Sequence, residues 1–316
     1  MATVLITGGA GFIGRHCANK FLKKGWDVRL LDIVSIAKND PILNPGYHAL
    51  VGDIGSLKAV KSAMHGCDAV IHLAAIVSVP KSIQEPEKTM QVNVDGTKNV
   101  LECAKVCGVS KILVASSAAV YGDGEHLPIE ETAHPIALSP YGESKIINER
   151  DVNSARSGGL NALALRFFNV YGPGQNQTSG YASVIPNFVE KMTKCERPTI
   201  FGDGLQTRDF IHVSDLVDAM YKLCIEKLPF KHSVVNVSTQ TQTTVLDVVE
   251  TINQHLEAHR PLQQIKPIHT PPRPGDIMHS YGSNSRLKSM IRWTPRTELS
   301  EGISSLIHEA TDEGES

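Results

Sequence analysis

The sequence contains no uninterrupted apolar run approaching the roughly 18–20 residues that a helix needs to cross a bilayer. Its opening, MATVLITGGAG, has neither a basic stretch nor a cleavable apolar segment, so no secretory leader is expected there. An excess of either charge is also missing. The 31 basic side chains nearly balance 33 acidic ones, for a net charge of −2. That balance gives no field for non-specific attraction to nucleic acid or membrane, so an anionic ligand must be held by a local site. Cysteine is sparse and scattered: Cys17, Cys67, Cys103, Cys107, Cys195 and Cys224. Cys103 and Cys107 lie four apart in a helical pattern but lack a second pair of ligands, and they read as helix or core residues. No metal site is expected, and the setting is expected to be reducing and cytoplasmic.

What is present is ordinary material for a large core, with 41% hydrophobic and 20% charged residues over 316 positions. Short β-branched runs at 3–7, 28–31, 48–51, 69–73, 111–116 and 162–166 alternate with amphipathic stretches at 12–24, 57–64, 92–107 and 141–157. Such alternation predicts α/β architecture, a Rossmann-type doubly wound parallel sheet covered by helices. Gly25 and Gly108 follow two of the helices, where a left-handed cap favours glycine. After residue 166 the texture changes to loops rich in Gly, Pro, Asn and Gln at 171–181 and 261–275, with a helix near 184–195. Loops of that length in a compact chain suggest binding. The expected division is a cofactor domain at 1–166 and a smaller substrate-binding lobe at 167–316, with a strand near 234–237 returning to the main sheet. The tail at 311–316 is expected to fray.

Two constellations carry chemistry. In VLITGGAGFIG, Gly8, Gly11 and Gly14 end a strand and open a helix. A dinucleotide pyrophosphate needs close backbone approach and the free N–H groups of a helix N-terminus, which side chains there would block. Asp32 closes the second strand, where a carboxylate accepts from the adenosine ribose hydroxyls and repels a 2′-phosphate; NAD is therefore expected over NADP. In SPYGESK, Tyr141 and Lys145 are four apart and share one helix face. A tyrosine with pKa about 10 is too weak a base at neutral pH. A neighbouring ammonium and a positive nicotinamide both favour the phenolate. Ser117, beyond the strand at 111–116, could hold the reacting hydroxyl beside it. Tyrosine and lysine often fall four apart by chance as a surface pair, but here they follow a dinucleotide turn and a serine-ended strand.

With these residues in place, the chain resembles the extended short-chain dehydrogenases/reductases of the nucleotide-sugar epimerase/dehydratase family over nearly all its length. The motifs are TGGAGFIG, Asp32, GDI at 52–54, HLAA at 72–75, NVDGT at 93–97, SSAAVYG at 116–122, YGESK, RFFNVYGPGQ at 166–175 and FGDGLQTRDFIHVSDL at 201–216. The resemblance implies that Phe12 and Ile13 lie on the pyrophosphate, that Asp53 and Ile54 flank the adenine, and that Leu73, Ala74 and Ala75 line the path to the nicotinamide, with Phe168 beside it. It implies a uridine diphosphate held by Asn169, Val184, Arg208, Arg273 and Asp276, with Ile200 and Phe201 on the base-stacking strand. It also implies a homodimer joined through the helices at 92–107 and 141–157.

Members of the family first oxidise the sugar's carbon 4 and differ in the later steps. Dehydratases and decarboxylases place Asp or Glu just after the serine; Ala118 and Ala119 stand here and cannot move protons. The resemblance therefore points to NAD-dependent 4-epimerisation of a UDP-sugar through a transient 4-keto intermediate. The loop SVPKS at 78–82 is similar to that of epimerases acting on N-acetylated UDP-hexosamines, and Ser280 matches a position where some relatives carry tyrosine. Val77 departs from the galactose epimerases, which have a cofactor-contacting lysine there. UDP-glucose/UDP-galactose, UDP-GlcNAc/UDP-GalNAc and a UDP-uronic acid remain open as substrates. The rival readings are a 4-ketoreductase or dehydrogenase that releases reduced cofactor, and a non-catalytic NAD-sensing protein. The second typically lacks the Tyr–Lys pair.

Overall fold

The computed structural model describes residues 1–37, 40, 42–124, 126–175, 183–259, 264–272 and 277–312. The chain begins with β1 (Thr3–Thr7), α1 (Phe12–Lys23), β2 (Asp27–Asp32), β3 (Tyr47–Val51), α2 (Leu57–Met64) and β4 (Ala69–His72). Two short helices, α3 (Val79–Gln84) and α4 (Pro86–Met90), lead into a π-helical turn (Gln91–Asp95) and α5 (Gly96–Val106). Then come β5 (Lys111–Ser117), α6 (Pro140–Ser157), β6 (Ala162–Phe167) and β7 (Asn169–Tyr171). The remainder is α7 (Val184–Thr193), β8 (Thr199–Phe201), β9 (Thr207–Arg208), β10 (Phe210–His212), α8 (Val213–Ile225), β11 (Val234–Val237), β12 (Thr243–Thr244), α9 (Val245–His259), β13 (Ile268–Thr270), β14 (His279–Ser280), α10 (Ser285–Met290) and α11 (Leu299–Asp312).

Seven strands form one sheet in the order β11-β6-β5-β4-β1-β2-β3, and every pairing is parallel. This is a doubly wound Rossmann-type sheet, with β2 and β3 running outward from β1 on one side and β4, β5, β6 and β11 on the other. Every residue of β1 is buried because helices cover both faces. On one face α1 presents Gly14, Cys17, Ala18 and Phe21, spaced to form a single apolar stripe, and packs with α8. The opposite face is closed by α2, α5 and α6. A third core, formed by α7, α9 and α11 around Tyr171, Ile200 and Phe210, belongs to the second half of the chain.

One sequence expectation needs adjusting, and two short helices went unmarked. The helix expected over 92–107 is split, because a π-helical turn precedes α5. The helices α3 and α4, each opened by a proline in its first turn, are too short for apolar periodicity to mark. Helix α11 extends to Asp312, and positions 313–316 of the tail expected to fray lie outside the described residues.

Candidate active site

The sequence-predicted cofactor and proton-transfer residues converge on one edge of the sheet, at the C-terminal ends of its strands. Gly8 follows β1, Asp32 ends β2, Leu73 follows β4 and Ser117 ends β5. Between Asp32 and Ser117 lie three strand spacings, roughly 14 Å. The crevice where strand order reverses therefore suits an extended two-nucleotide ligand better than a single ring.

The glycine turn is shaped by close approach. A Cβ on Gly8 would sit 2.8 Å from the amide nitrogen of Ala74, and one on Gly14 would meet the Gly8 carbonyl oxygen at 2.3 Å. These two glycines let α1 and the β4 end pack on the turn. Gly11 differs: it is exposed, and an added Cβ would meet the Gly8 oxygen at 3.1 Å. It caps α1 without a side-chain hydrogen bond, and no acidic residue occupies the first turn. The helix N-terminus thus presents its N–H groups to an approaching anion beside half-buried Phe12 and Ile13. Asp32 accepts the Ala10 N–H at 3.0 Å and that of Val34 at 3.3 Å, which aims its carboxylate across the same turn. This cradle fits a dinucleotide.

Farther along the crevice, Asp53 is exposed and braces the Gly55 N–H at 2.8 Å. Ile54 is buried, packed where a side chain on Gly96 would stand, so its side chain belongs to the core. Leu73, Ala74 and Ala75 are half-buried and line the route from the glycine turn toward β5.

At that end, Ser117, Tyr141 and Lys145 come together. Helix α6 starts with Ser139, whose hydroxyl accepts the Gly142 N–H at 3.1 Å, and has Pro140 in its first turn. Gly142 packs on the turn after Ser117: a Cβ there would lie 2.8 Å from the Ala119 carbonyl oxygen. That contact brings the tyrosine beside the serine. Burial pushes the Tyr141 phenol above its ordinary value, and its hydrogen bond with Ser117 opposes the shift. Burial sets the direction of this shift, and the Lys145 ammonium lies 5.8 Å from the ring centre. Lys145 is 4% exposed and donates to the Ala115 carbonyl at 2.8 Å. Burial lowers its pKa to about 8, with Glu149 acting in the opposite direction.

Residues without a sequence-level assignment support this group. Asn93, in the π-helical turn, accepts the Ile76 N–H at 2.8 Å and donates to Ser144 at 3.0 Å, tying the loop beyond Ala75 to α6. Ser82 accepts the Tyr141 N–H at 3.1 Å. Glu149 continues the Tyr141–Lys145 spacing by four more residues, a signal present in the sequence.

The residues implied for the nicotinamide (Phe168) and for the nucleotide-sugar follow β6 and occupy the second half of the chain. Phe168 is buried against Tyr121, Val120 and Ile129, and Gly282 leaves room for its ring. Asn169 donates through its side chain to the Asp209 carbonyl at 3.1 Å. Val184 opens α7, half-buried. Along β8 the side chains alternate: Ile200 enters the core, whereas Phe201 is half-buried. Both residues implied for the base-stacking strand thus lie on β8, with Phe201 the one of the two that keeps some exposure. Arg208 and Ser280 face each other in register on parallel strands β9 and β14. Arg273 and Asp276 lie outside the described residues. Asp209, which sequence reasoning passed over within the RDF motif, is fully buried. Its carboxylate accepts from Thr239, Gln240 and Gly282, fixing the segments around Arg208 and Ser280. Among the described residues, no group of three or more His, Cys, Asp or Glu is arranged to hold a metal ion. Nor is any described helix long and apolar enough to cross a membrane.

Comparison with known proteins agrees with this geometry. A UDP-glucose 4-epimerase of Azospirillum brasilense is 32% identical over 320 residues, covering 95% of this chain and 89% of that protein. The structure of a Thermotoga maritima UDP-glucose 4-epimerase with UDP-glucose superimposes with a TM-score of 0.89 at 32% identity, covering 98% of this chain and 99% of the other. A UDP-N-acetylglucosamine 4-epimerase from Methanobrevibacter ruminantium, in complex with UDP-N-acetylmuramic acid, gives a TM-score of 0.90 at 31% identity and covers 99% of each chain. Residues 4–237 match the NAD dependent epimerase/dehydratase family, and the chain belongs to it.

Proposed function

We propose that this protein is an NAD-dependent UDP-sugar 4-epimerase in which Tyr141, Lys145 and Ser117 carry out proton transfer. One observation carries the reading. The three residues meet at the β5 end of the cofactor crevice, while the neighbouring Ala118 and Ala119 supply no second acid or base.

Gly8, Gly11, Gly14, Phe12 and Ile13 would hold the pyrophosphate of NAD, Asp32 the adenosine ribose, and Asp53 with the Ile54 main chain the adenine edge. Leu73, Ala74, Ala75 and Phe168 would line the nicotinamide half. The bound cofactor supplies reversible hydride transfer at carbon 4. Ser117 holds the 4-hydroxyl against the Tyr141 oxygen, and Tyr141 takes its proton. Lys145 contributes positive charge that stabilises the phenolate. After the 4-keto ring turns in the pocket, Tyr141 returns the proton to the opposite epimer. Turning requires a sugar held chiefly through its nucleotide, and the diphosphate is assigned to Arg208, Arg273, Asp276, Asn169 and Val184, with Phe201 on the base. Arginine suits this through forked, charge-assisted contacts.

Substrates of both hexose and N-acetylhexosamine type are proposed, with small, buried Ser280 in register with Arg208 bounding the sugar pocket. Residues 1–166 would form the cofactor domain and 167–316 most of the substrate lobe. Six unpaired cysteines support a reducing, cytoplasmic site of action. A homodimer through α5 and α6 is proposed, to be measured by sedimentation.

The deciding experiment incubates purified protein with UDP-glucose or UDP-N-acetylglucosamine without added cofactor and follows the carbon-4 epimer by NMR. Epimer formation without net NADH is expected; NADH accumulating in step with product would overturn the epimerase reading. Tyr141→Phe should lose at least roughly a hundredfold in turnover while keeping bound NAD.

A further inference from the structure

We propose that Glu149 is a positioning residue for the Tyr141–Lys145 pair. Held by Arg166 and Ser116, its carboxylate keeps a negative charge one helical turn from Lys145 without capturing the ammonium. The inference rests on the assignment of Tyr141 and Lys145 made above.

Tyr141, Lys145 and Glu149 succeed one another at intervals of four on α6 and therefore share a face. A carboxylate four residues from a lysine would ordinarily pair with it. Here both Glu149 oxygens are already engaged. Oε1 accepts from the Ser116 hydroxyl at 2.6 Å and from Arg166 Nε at 2.8 Å, and Oε2 accepts from Arg166 Nη2 at 2.6 Å. Such a forked contact fixes the carboxylate in place and in orientation. Arg166 is itself immobilised, 3% exposed and stacked 4.6 Å above the Tyr121 ring. Lys145 Nζ consequently bonds the neutral Ala115 carbonyl and stays near the tyrosine ring. The ammonium has a nearby counter-charge but no ionic ligand among the described residues, which leaves it available to the phenolate.

The other groups around Lys145 do not substitute for Glu149. His72, from β4, has both ring nitrogens bonded to Thr7 and Thr97, and burial keeps it neutral with a pKa of about 3. Ser116 and Ser117, from β5, carry no charge. Asp95 and Lys98, from the π-helical turn and α5, act on Asp151. Arg166, from β6, is paired with the Glu149 carboxylate itself. Glu149 is thus the charge that resists the effect of burial on Lys145.

The test combines direct titration of Lys145 by carbon-13 NMR at its ε carbon, assigned with Lys145→Arg, and the pH dependence of turnover with UDP-glucose and UDP-N-acetylglucosamine. Glu149→Gln keeps the shape and an acceptor for Arg166 and Ser116 but removes the charge. Its Lys145 midpoint and the alkaline limb of turnover are expected to fall by about one pH unit. Arg166→Gln releases the carboxylate toward the ammonium; the midpoint is expected to rise while turnover falls. Mere loss of packing would not move the two midpoints in opposite directions. Glu149→Asp, which keeps the charge, should leave the midpoint within a few tenths of a unit. An unmoved midpoint in Glu149→Gln, or the same shift in Glu149→Asp, overturns the inference. If Glu149→Gln does not fold, Arg166→Gln decides alone, a rise supporting the role and no change or a fall refuting it. An active Tyr141→Phe would overturn the underlying site assignment, whereas an inactive one with an unmoved Glu149→Gln midpoint would overturn the Glu149 role alone.

Discussion

Ser82 and Tyr141 are joined by a hydrogen bond in which the buried Ser82 hydroxyl accepts the Tyr141 main-chain N–H at 3.1 Å. The same hydroxyl donates to the Val79 carbonyl at 2.6 Å. The first N–H groups of a helix have no partner within it, so a hydroxyl from α3 that satisfies one also fixes where α6 begins. Tyr141 is thereby positioned from the segment that carries Val77 and Val79. Ser82→Ala should cost about 1 kcal/mol of stability. Because the phenol is displaced without loss of nucleotide contacts, kcat should fall about tenfold with little change in KM. Steady-state kinetics beside a thermal melt would check this; a KM effect alone would refute it.

The glycines of the turn are expected to separate folding from cofactor affinity. Gly14→Ala puts a methyl 2.3 Å from a backbone oxygen, which only movement of α1 can relieve. It should lower the melting temperature by several degrees even in protein stripped of NAD. Gly11→Ala meets the Gly8 oxygen at 3.1 Å, a clash that small adjustment absorbs, and its methyl faces the exposed side of the turn. This variant should melt near the parent in stripped protein yet bind NAD at least about tenfold more weakly by calorimetry. Equal behaviour of the two variants would contradict the assigned roles.

Local chemistry explains how far the sequence could be read. The glycine turn, Asp32 and the Tyr141–Lys145 pair are signalled by short-range spacing, and β1, α1 and α6 bring them together. Ser82 is 59 residues from Tyr141, and nothing local marks their contact. Asp209 sits between an arginine and an apolar pair with no pattern to show that amides from two distant segments would converge on it. Ile200 and Phe201 were inseparable in one dimension because their opposite orientations depend on which side of β8 meets the third core.

His72 should set part of the acid sensitivity. Thr97 donates to the Asn93 carbonyl, so it accepts from His72 Nε2–H, which leaves Nδ1 to accept from Thr7. Protonation at Nδ1 would break that arrangement, and burial lowers the pKa from 6.5 to about 3. Between those values the unfolded chain binds the extra proton, so this contribution to stability is lost as pH falls, by up to about 1.4 kcal/mol per unit. Buried Asp209, raised to about 6, acts with the opposite sign between 3.8 and 6, stabilising the fold as pH falls. The wild-type profile is therefore flattened, and the histidine shows in a difference. The stability advantage of wild type over His72→Asn in urea should shrink from pH 7 to pH 4; a constant gap would exclude the proposed neutral form.

Ser280 offers the sharpest test of substrate choice. It lies in register with Arg208 on an adjacent parallel strand, so the two side chains leave the same face of the small sheet, and its own is nearly buried. If Arg208 grips the diphosphate, Ser280 bounds the space just beyond it, where the acyl group of an N-acetylhexosamine would extend. Tyrosine there adds a ring that a hexose without the acyl group could still accommodate. Ser280→Tyr is therefore expected to reduce kcat/KM for UDP-N-acetylglucosamine at least about tenfold relative to UDP-glucose, a discrimination of the size that filling a pocket supplies. Competition between the two UDP-sugars in one NMR tube measures the ratio directly. A parallel loss for both would mean that the tyrosine disturbs the diphosphate site, and an unchanged ratio would move the acyl pocket away from β14.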